Sequence, residues 1–509
     1  MEINVSEVID FNAHKFPSRE ALIFQDKRIT YAQLNDSISQ RANLLIEQGI
    51  NKGDHVSTLF LNSTEVVETI AAIWRAGAVL VPLSFRASPE ELIYIIDNAD
   101  VSAIIFQESF EKMIRKITPS LPKVNKLFCS GKNPPEDFIN FESKKAEQST
   151  QLPKIKIEES DMCTIVYTSG TTGKPKGVVI THKNLIWAIT SVLVLSYPGY
   201  NVARKHLTIY PFFHIGAIMN TYMSLCSGNT MVMLEKFDPK NIFETIEKEK
   251  VDSIANPPTA YKMLLRFPNI EKYDLSSVIS LGSGSERMPD ETSKQLQRIF
   301  PNAQIAENYG LTESTGFLTT RRGEFMHTKL GSVGKTSPFI RIRIIDKDGN
   351  DVAPNEPGEI IAKGPSMMKE YYKNPEKTAE AIRDGWLYTE DIGRFDEDGF
   401  LYIKERKHHM IISGGENIYP KEVEAILYQH PKILEAAVFG LPDDTYGEMV
   451  AADVVLKPGK QLTYDEIAEF CKEHIASFKK PKVVHFVDKL PKSPIGKILR
   501  SELKKKYTT

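Results

Sequence analysis

Between Tyr167 and Gly177 the chain reads YTSGTTGKPKG, eleven residues with three glycines, three threonines, one serine and two lysines. So little apolar side chain cannot build a core. The run CTIVY before it is rich in β-branched residues, and THKNLIWAITSVL after it has a helical pattern, so the stretch is predicted as a loop between a strand and a helix. Gly170 and Gly173 let backbone N–H groups converge on an anion. The hydroxyls of Thr168, Ser169, Thr171 and Thr172 add donors, and Lys174 and Lys176 add charge. The chemistry is that of a phosphate cradle. GxxxxGK[ST] cannot be laid on it, so it is a different cradle from that of the P-loop enzymes. GSGSER (282–287) begins like a dinucleotide fingerprint but lacks its third glycine, and the GxSxG elbow of serine hydrolases is absent.

The elements around this loop alternate. TYAQLNDSISQRANLLIEQGI carries apolar residues at three- and four-residue steps and stops at Gly49; HVSTLFL and VSAIIF read as strands, with a helix, a glycine stop and a buried strand in STEVVETIAAIWRAGAVLVPL between them. Such alternation predicts mostly parallel sheets with flanking helices. From Gly331 the texture changes to IRIRIID, KDGN and GEIIAKG, a small antiparallel, barrel-like part. Beyond about Arg406–His408 the chain reads as a small α+β unit. The fold class is therefore α/β, with a large N-terminal domain (1–407) and a small C-terminal one (408–509). At 509 residues one hydrophobic core would not suffice, which agrees with two domains.

Three further stretches complete a pattern. ENYGLTE (307–313), GWLYTEDIGRFDEDGFLYIKER (385–406) and PKSPIGKILR (491–500) follow the glycine loop in order, and together the four resemble the motifs of the adenylate-forming superfamily of acyl-CoA synthetases, luciferases and peptide-synthetase adenylation domains. The resemblance spans essentially the whole chain. It implies ATP and Mg2+ as ligands, with Gly284, Asn308, Tyr309 and Gly310 beside adenine, Thr312 at phosphate and Glu313 at the metal. The residue types agree: an aromatic face for a base, a hydroxyl for phosphate, a hard carboxylate oxygen for magnesium. Asp391 would take the ribose hydroxyls and Arg406 ribose or phosphate; a hinge ion pair is the simpler reading of the arginine. Lys497 would stand between the attacking carboxylate and the α-phosphate, offsetting the repulsion of two anions.

The chain departs from the family's pattern in two places. His408 and His409 stand where Asp or Lys, then often Asp, follow the motif arginine, and the first of these is the hinge. As neighbours on an extended segment they would face opposite ways, which argues against a shared metal. Phe339 stands where relatives often have glycine.

PFFHIGAIMNTYMSLCSG (211–228) matches the segment that shapes the acyl pocket. Amino-acid-activating relatives place an aspartate where this chain has His214, so a substrate ammonium would find no counter-charge there. Ala217, Met219 and their neighbours, with Gly284, offer apolar surface, although about half of such residues are expected to be plain core. A fatty acid comes first as substrate and an aryl acid second. SGGENIYP (413–420) resembles the coenzyme A ligases, whose paired glycines, here Gly414 and Gly415 before Glu416, leave a path for the thiol. A stand-alone enzyme loading a carrier protein, a luciferase-like oxidase and a non-catalytic scaffold are the rivals; the chain reaches Thr509 with no carrier domain.

Composition sets the outer limits. A formal net charge of −2 argues against nucleic acid as the main partner. Four dispersed cysteines with no CxxC pair point away from zinc and disulfides and towards a reducing interior. The first residues lack a signal-peptide pattern, and the most apolar stretch is broken by Arg75 and Pro82. A cytoplasmic protein is expected, with a homodimer left open.

Overall fold

A computed structural model describes residues 4–168, 174–196, 203–413, 416–492 and 498–508. Ser169, Gly170, Thr171, Thr172, Gly173, Gly414, Gly415 and Lys497 lie outside the described residues, as do the side chains of His408 and Glu416. The chain forms two compact units, one of 1–342 with 362–387 and another of 343–361 with 388–509. Among the described residues, no helix is long and apolar enough to cross a membrane.

The first unit is built on two sheets. In the nine-stranded one, six neighbours run parallel, in the order Gln304–Leu311, Ser280–Ser283, Ser253–Ala255, Lys205–Thr208, Thr230–Met233 and Glu20–Phe24. Antiparallel strands close both of its edges. The eight-stranded sheet has a parallel centre and an antiparallel margin made by Met162–Thr168, Lys176–Thr181 and the two-residue strand Glu370–Tyr371. These are the α/β layers that the alternation predicts. One core cluster joins helices Tyr31–Glu47, Thr64–Arg75 and Ile215–Cys226, with Trp74 against Tyr222 at a ring distance of 4.5 Å. Helix Tyr31–Glu47 starts in a capping box between Thr30 and Gln33, and Gly49 just past its end has φ 84°, where glycine costs no Cβ strain.

Phe339 adopts φ 66°, a left-handed conformation that favours glycine and strains a bulky side chain. Its exposed ring meets Trp187 edge-on at 5.1 Å, a contact that offsets part of that strain.

In the second unit lie most of the strands Arg341–Ile345, Gly358–Lys363 and Trp386–Phe395, side by side in one sheet, and Leu401–Arg406 pairs antiparallel with the last of them. A further sheet pairs the long strands Ile433–Asp443 and Gly447–Leu456, with Ile411–Ser413 and Val483–Phe486 on the latter. Residues Lys407–His409 form one 3-10 turn, so the expected extended segment through the two histidines is corrected. A turn follows because the carboxylate of Glu405 gathers donors from both sides of it.

Candidate functional site

The glycine loop does not lead into a helix as the sequence suggested. Lys176–Thr181 is a strand, antiparallel to Met162–Thr168 with Tyr167 opposite Gly177 and Thr168 opposite Lys176, so the strands before and after the loop form a hairpin. The β-branched run from Val178 to Thr181 prefers the pleated, half-buried surface of a sheet. The helix His182–Ser196 begins only after it, where Thr181 and Asn184 exchange backbone-to-side-chain hydrogen bonds of 3.0 and 3.1 Å. Around the hairpin, Tyr167 donates to Asn98 Oδ1 (2.6 Å) and Tyr94 to the Pro175 carbonyl (3.2 Å). Lys174 Nζ lies 5.3 Å from the Tyr94 ring centre and Lys176 Nζ 4.6 Å from that of Tyr371. An aromatic face orients an ammonium without neutralising it, so both charges remain for an anion.

The strand Gln304–Leu311 carries Asn308, Tyr309 and Gly310, and the turn Thr312–Ser314 after it carries Thr312 and Glu313. Gly310 has no room for a side chain, since a Cβ there would stand 1.6 Å from the Gly316 carbonyl oxygen. Glu307 and Arg321, both buried, pair at 2.5 Å, and Glu307 also accepts the Met288 N–H (2.7 Å). Burial pushes this carboxyl upward against the pull of the arginine. Asn308 donates to the Ser283 carbonyl (3.2 Å) and accepts from Thr320 (2.8 Å), which fixes its amide beside Gly284. Glu313 is held twice: its carbonyl accepts the Met368 N–H (2.7 Å), and its Oε1 accepts the Tyr371 hydroxyl (2.8 Å). Among the described residues no hydrogen bond falls on Oε2, and no cluster of three His, Cys, Asp or Glu exists that could enclose a metal. That donor set fits Mg2+ held by one carboxylate, phosphate oxygens and water, and does not fit an all-protein cage. Arg321 and Tyr371 escaped sequence reasoning; a tyrosine in a short polar segment carries no signal of a partner in another motif.

His214 precedes the helix Ile215–Cys226, its ring 4.4 Å from that of Phe213, which meets Phe85 at 5.4 Å. Ala217 and Met219 are fully buried. Met219 lies against Gly316, where a Cβ would come within 2.5 Å of its sulfur. Phe317, the next residue, approaches the Cβ position of Gly284 to 4.0 Å. The first unit thus brings Met219, Gly284 and the 304–314 segment into one neighbourhood.

In the second unit Asp391 and Arg406 sit opposite each other on paired strands, with Nε to Oδ1 at 2.8 Å. Asp391 is buried, and Arg406 also donates to the Thr389 carbonyl (3.3 Å). Glu405, one residue earlier and completely buried, escaped the sequence. Its Oε1 accepts the Arg406 N–H (2.9 Å) and faces His409 Nδ1 at 3.6 Å, while Oε2 accepts the Lys421 N–H (3.0 Å). Lys421 lies in the first turn of helix Pro420–Leu427, whose own N-cap residue makes no side-chain bond, so Glu405 caps it from a distance. Burial alone would raise the Glu405 carboxyl, but His409, Lys421 and Arg500 hold it down at about 2. The stretch containing Lys497 is bracketed by a bridge between Lys492 and Ile498 and by Arg500, which binds both oxygens of Glu424 at 2.5 and 2.6 Å.

A family model described as AMP-binding enzyme matches residues 9–372, and one described as AMP-binding enzyme C-terminal domain matches residues 422–497. The long-chain-fatty-acid–CoA ligase of Bacillus subtilis (strain 168) is 35% identical over 538 residues, covering 99% of this chain and 94% of that protein. A feruloyl-CoA synthase from Amycolatopsis sp is 34% identical over 499 residues, with 97% of both chains covered. Among solved structures, the o-succinylbenzoate coenzyme A synthetase (MenE) of Bacillus subtilis in complex with ATP and magnesium ion is similar at a TM-score of 0.86 and 30% identity, covering 99% of this chain and 100% of that one.

Proposed function

The chain belongs to the AMP-binding enzymes, as an acyl-CoA ligase working through an adenylate, and from that premise we propose that its acid is a medium- or long-chain fatty acid. The observation that carries this reading is the acyl segment. Helix Ile215–Cys226 contains no acidic residue; Ala217 and Met219 are part of the core behind it, and Ile215 and Met223 keep apolar surface partly exposed. A substrate ammonium would meet no carboxylate on this helix, whereas an alkyl chain would meet the partly exposed Ile215 and the thioether of Met223. An aryl acid is the second reading, favoured by the rings of Phe213 and His214, tilted against each other in that segment, and of Phe85, edge-on to Phe213.

In the first half-reaction a carboxylate oxygen attacks the α-phosphorus of ATP and pyrophosphate leaves. Lys174 and Lys176 at the hairpin and Thr312 in its turn bind phosphate; Glu313 would hold Mg2+, which would offset the charge of the phosphates. Tyr309 stacks on adenine, and Lys497 offsets the meeting of two anions. Asp391 accepts from the ribose hydroxyls, sharing its carboxylate with Arg406. In the second half-reaction the thiol of coenzyme A attacks the acyl carbon, a C–S bond forms, and AMP leaves with one carboxylate oxygen. Gly414 and Gly415 leave the thiol its path, and His408 serves as the hinge between domains 1–407 and 408–509. Pyrophosphate release measured separately with acetate, octanoate, palmitate, benzoate and a cinnamate tests the substrate. Octanoate or palmitate should be fastest; benzoate or the cinnamate as the best acid would overturn the fatty-acid reading.

A further inference from the structure

We infer that Tyr371 is a positioning residue that sets the carboxylate of Glu313 for Mg2+ and the ammonium of Lys176 for phosphate, an inference resting on the reading of Glu313 as the metal-holding group. The tyrosine sits where three chain segments meet. Its backbone pairs antiparallel with Val178, two residues beyond Lys176, and the flanking Lys369 and Tyr372 N–H groups donate to the carbonyls of Val179 (2.9 Å) and Gly177 (2.8 Å). Its own N–H donates to Thr378 Oγ1 (2.9 Å). Next to it, Tyr372 donates to Asp100 Oδ2 (2.8 Å), fastening the same segment from the other side. The position of Tyr371 is therefore fixed by backbone bonds before its side chain does anything.

From that fixed position the side chain reaches two motifs. The hydroxyl donates to Glu313 Oε1 at 2.8 Å, and the ring centre lies 4.6 Å from Lys176 Nζ. Tyr371 is only 6% exposed, so water competes little for either contact. The Met368 N–H, three residues upstream, also donates to the Glu313 carbonyl (2.7 Å), so one short segment holds both the main chain and the side chain of this glutamate. A carboxylate on a free side chain must be ordered when a cation binds; one held by an outer hydroxyl has already lost that freedom, and loss of such a partner typically weakens metal binding by about 10- to 100-fold. The donated hydrogen bond also draws some charge from Glu313, which would weaken the metal. Ordering should win here, because the bond falls on Oε1 and leaves the lone pairs of Oε2 to the cation. The ring acts separately. It orients Lys176 without pairing its charge, so the lysine meets phosphate with its full charge.

Two substitutions divide these contributions. Tyr371→Phe deletes the hydroxyl and keeps the ring; Tyr371→Leu deletes both. Calorimetric titration with ATP, with and without Mg2+, reads binding without turnover, and melting curves confirm that each variant is folded. Tyr371→Phe should bind ATP without Mg2+ like the wild type while losing about tenfold in Mg2+-dependent affinity. Tyr371→Leu should lose affinity under both conditions, because Lys176 is released as well. The same titrations in a Glu313→Gln background identify the path. If the hydroxyl acts through Glu313, adding Tyr371→Phe to Glu313→Gln changes nothing further; two independent, additive losses would overturn the inference. An unchanged or tighter Mg2+ dependence in Tyr371→Phe also overturns it, with the reading of Glu313 intact. A Glu313→Gln variant with wild-type Mg2+ dependence instead removes that reading and this inference together.

Discussion

Replacing Glu405 by glutamine should loosen the junction between the Leu401–Arg406 strand and the helix that begins at Pro420. The carboxylate is completely buried, accepts the Arg406 and Lys421 N–H groups from strand and helix, and faces His409 on the turn between them at 3.6 Å. Its folded value of about 2 lies below the ordinary 4.5. A depressed carboxyl contributes stability that is present above its unfolded value and is lost as pH falls through its folded one. The difference corresponds to about 3 kcal/mol at neutral pH, narrowing to about 2 kcal/mol at pH 3.5. A glutamine carbonyl can accept one of the two backbone N–H groups and must turn its own amide towards the other. Stranding a buried donor costs roughly 1–3 kcal/mol, so a second route reaches the same magnitude. Hydrogen exchange of the peptide covering 420–427 reads this opening locally, where a global melt of two units would blur it. At pH 7 Glu405→Gln should exchange there on the order of a hundredfold faster than wild type, with a smaller ratio at pH 3.5. Unchanged exchange at pH 7, or a ratio independent of pH, would refute the claim that this carboxylate joins the two elements.

Two other outcomes are expected, one from the packing of Gly310 and one from the reading of Lys497 in the sequence. Gly310→Ala places a methyl group 1.6 Å from a backbone oxygen that cannot retreat, and should cost more than about 4 kcal/mol, read as loss of soluble protein or a sharply lowered melting temperature. Lys497→Ala should slow acyl-adenylate formation by about 10²–10³-fold while supplied acyl-AMP is still converted to thioester at near the wild-type rate, since only the first step brings two anions together; equal losses in both steps would contradict that division.

The layers of the fold were legible because they rest on local pattern. The apolar spacing of Tyr31–Glu47, its Thr30 cap and Gly49 beyond it are all properties of neighbouring residues. The strand Lys176–Thr181 was missed because GVVIT lies between a glycine loop and a helical run, and only pairing with Met162–Thr168 makes it a strand. Of the candidate site residues, Glu313, Asp391 and the Arg406 that pairs with it could be named from the sequence, whereas Tyr371, which holds Glu313, and Glu405 could not. Tyr371 meets Glu313 across 58 residues, and Glu405 meets Lys421 across a turn whose shape the two histidines did not announce. Long-range partners of this kind depend on which elements the topology brings together, and a window of local pattern carries no record of that.

The acid preference of the enzyme is read most directly in a competition. Octanoate, palmitate, ferulate, benzoate and phenylalanine are mixed at equal concentration with limiting ATP and coenzyme A, and the thioesters are quantified by mass. Product ratios then equal ratios of kcat/KM, free of differences in enzyme preparation. Octanoyl- or palmitoyl-CoA should dominate and no phenylalanyl thioester should form; feruloyl- or benzoyl-CoA as the main product would contradict the fatty-acid reading.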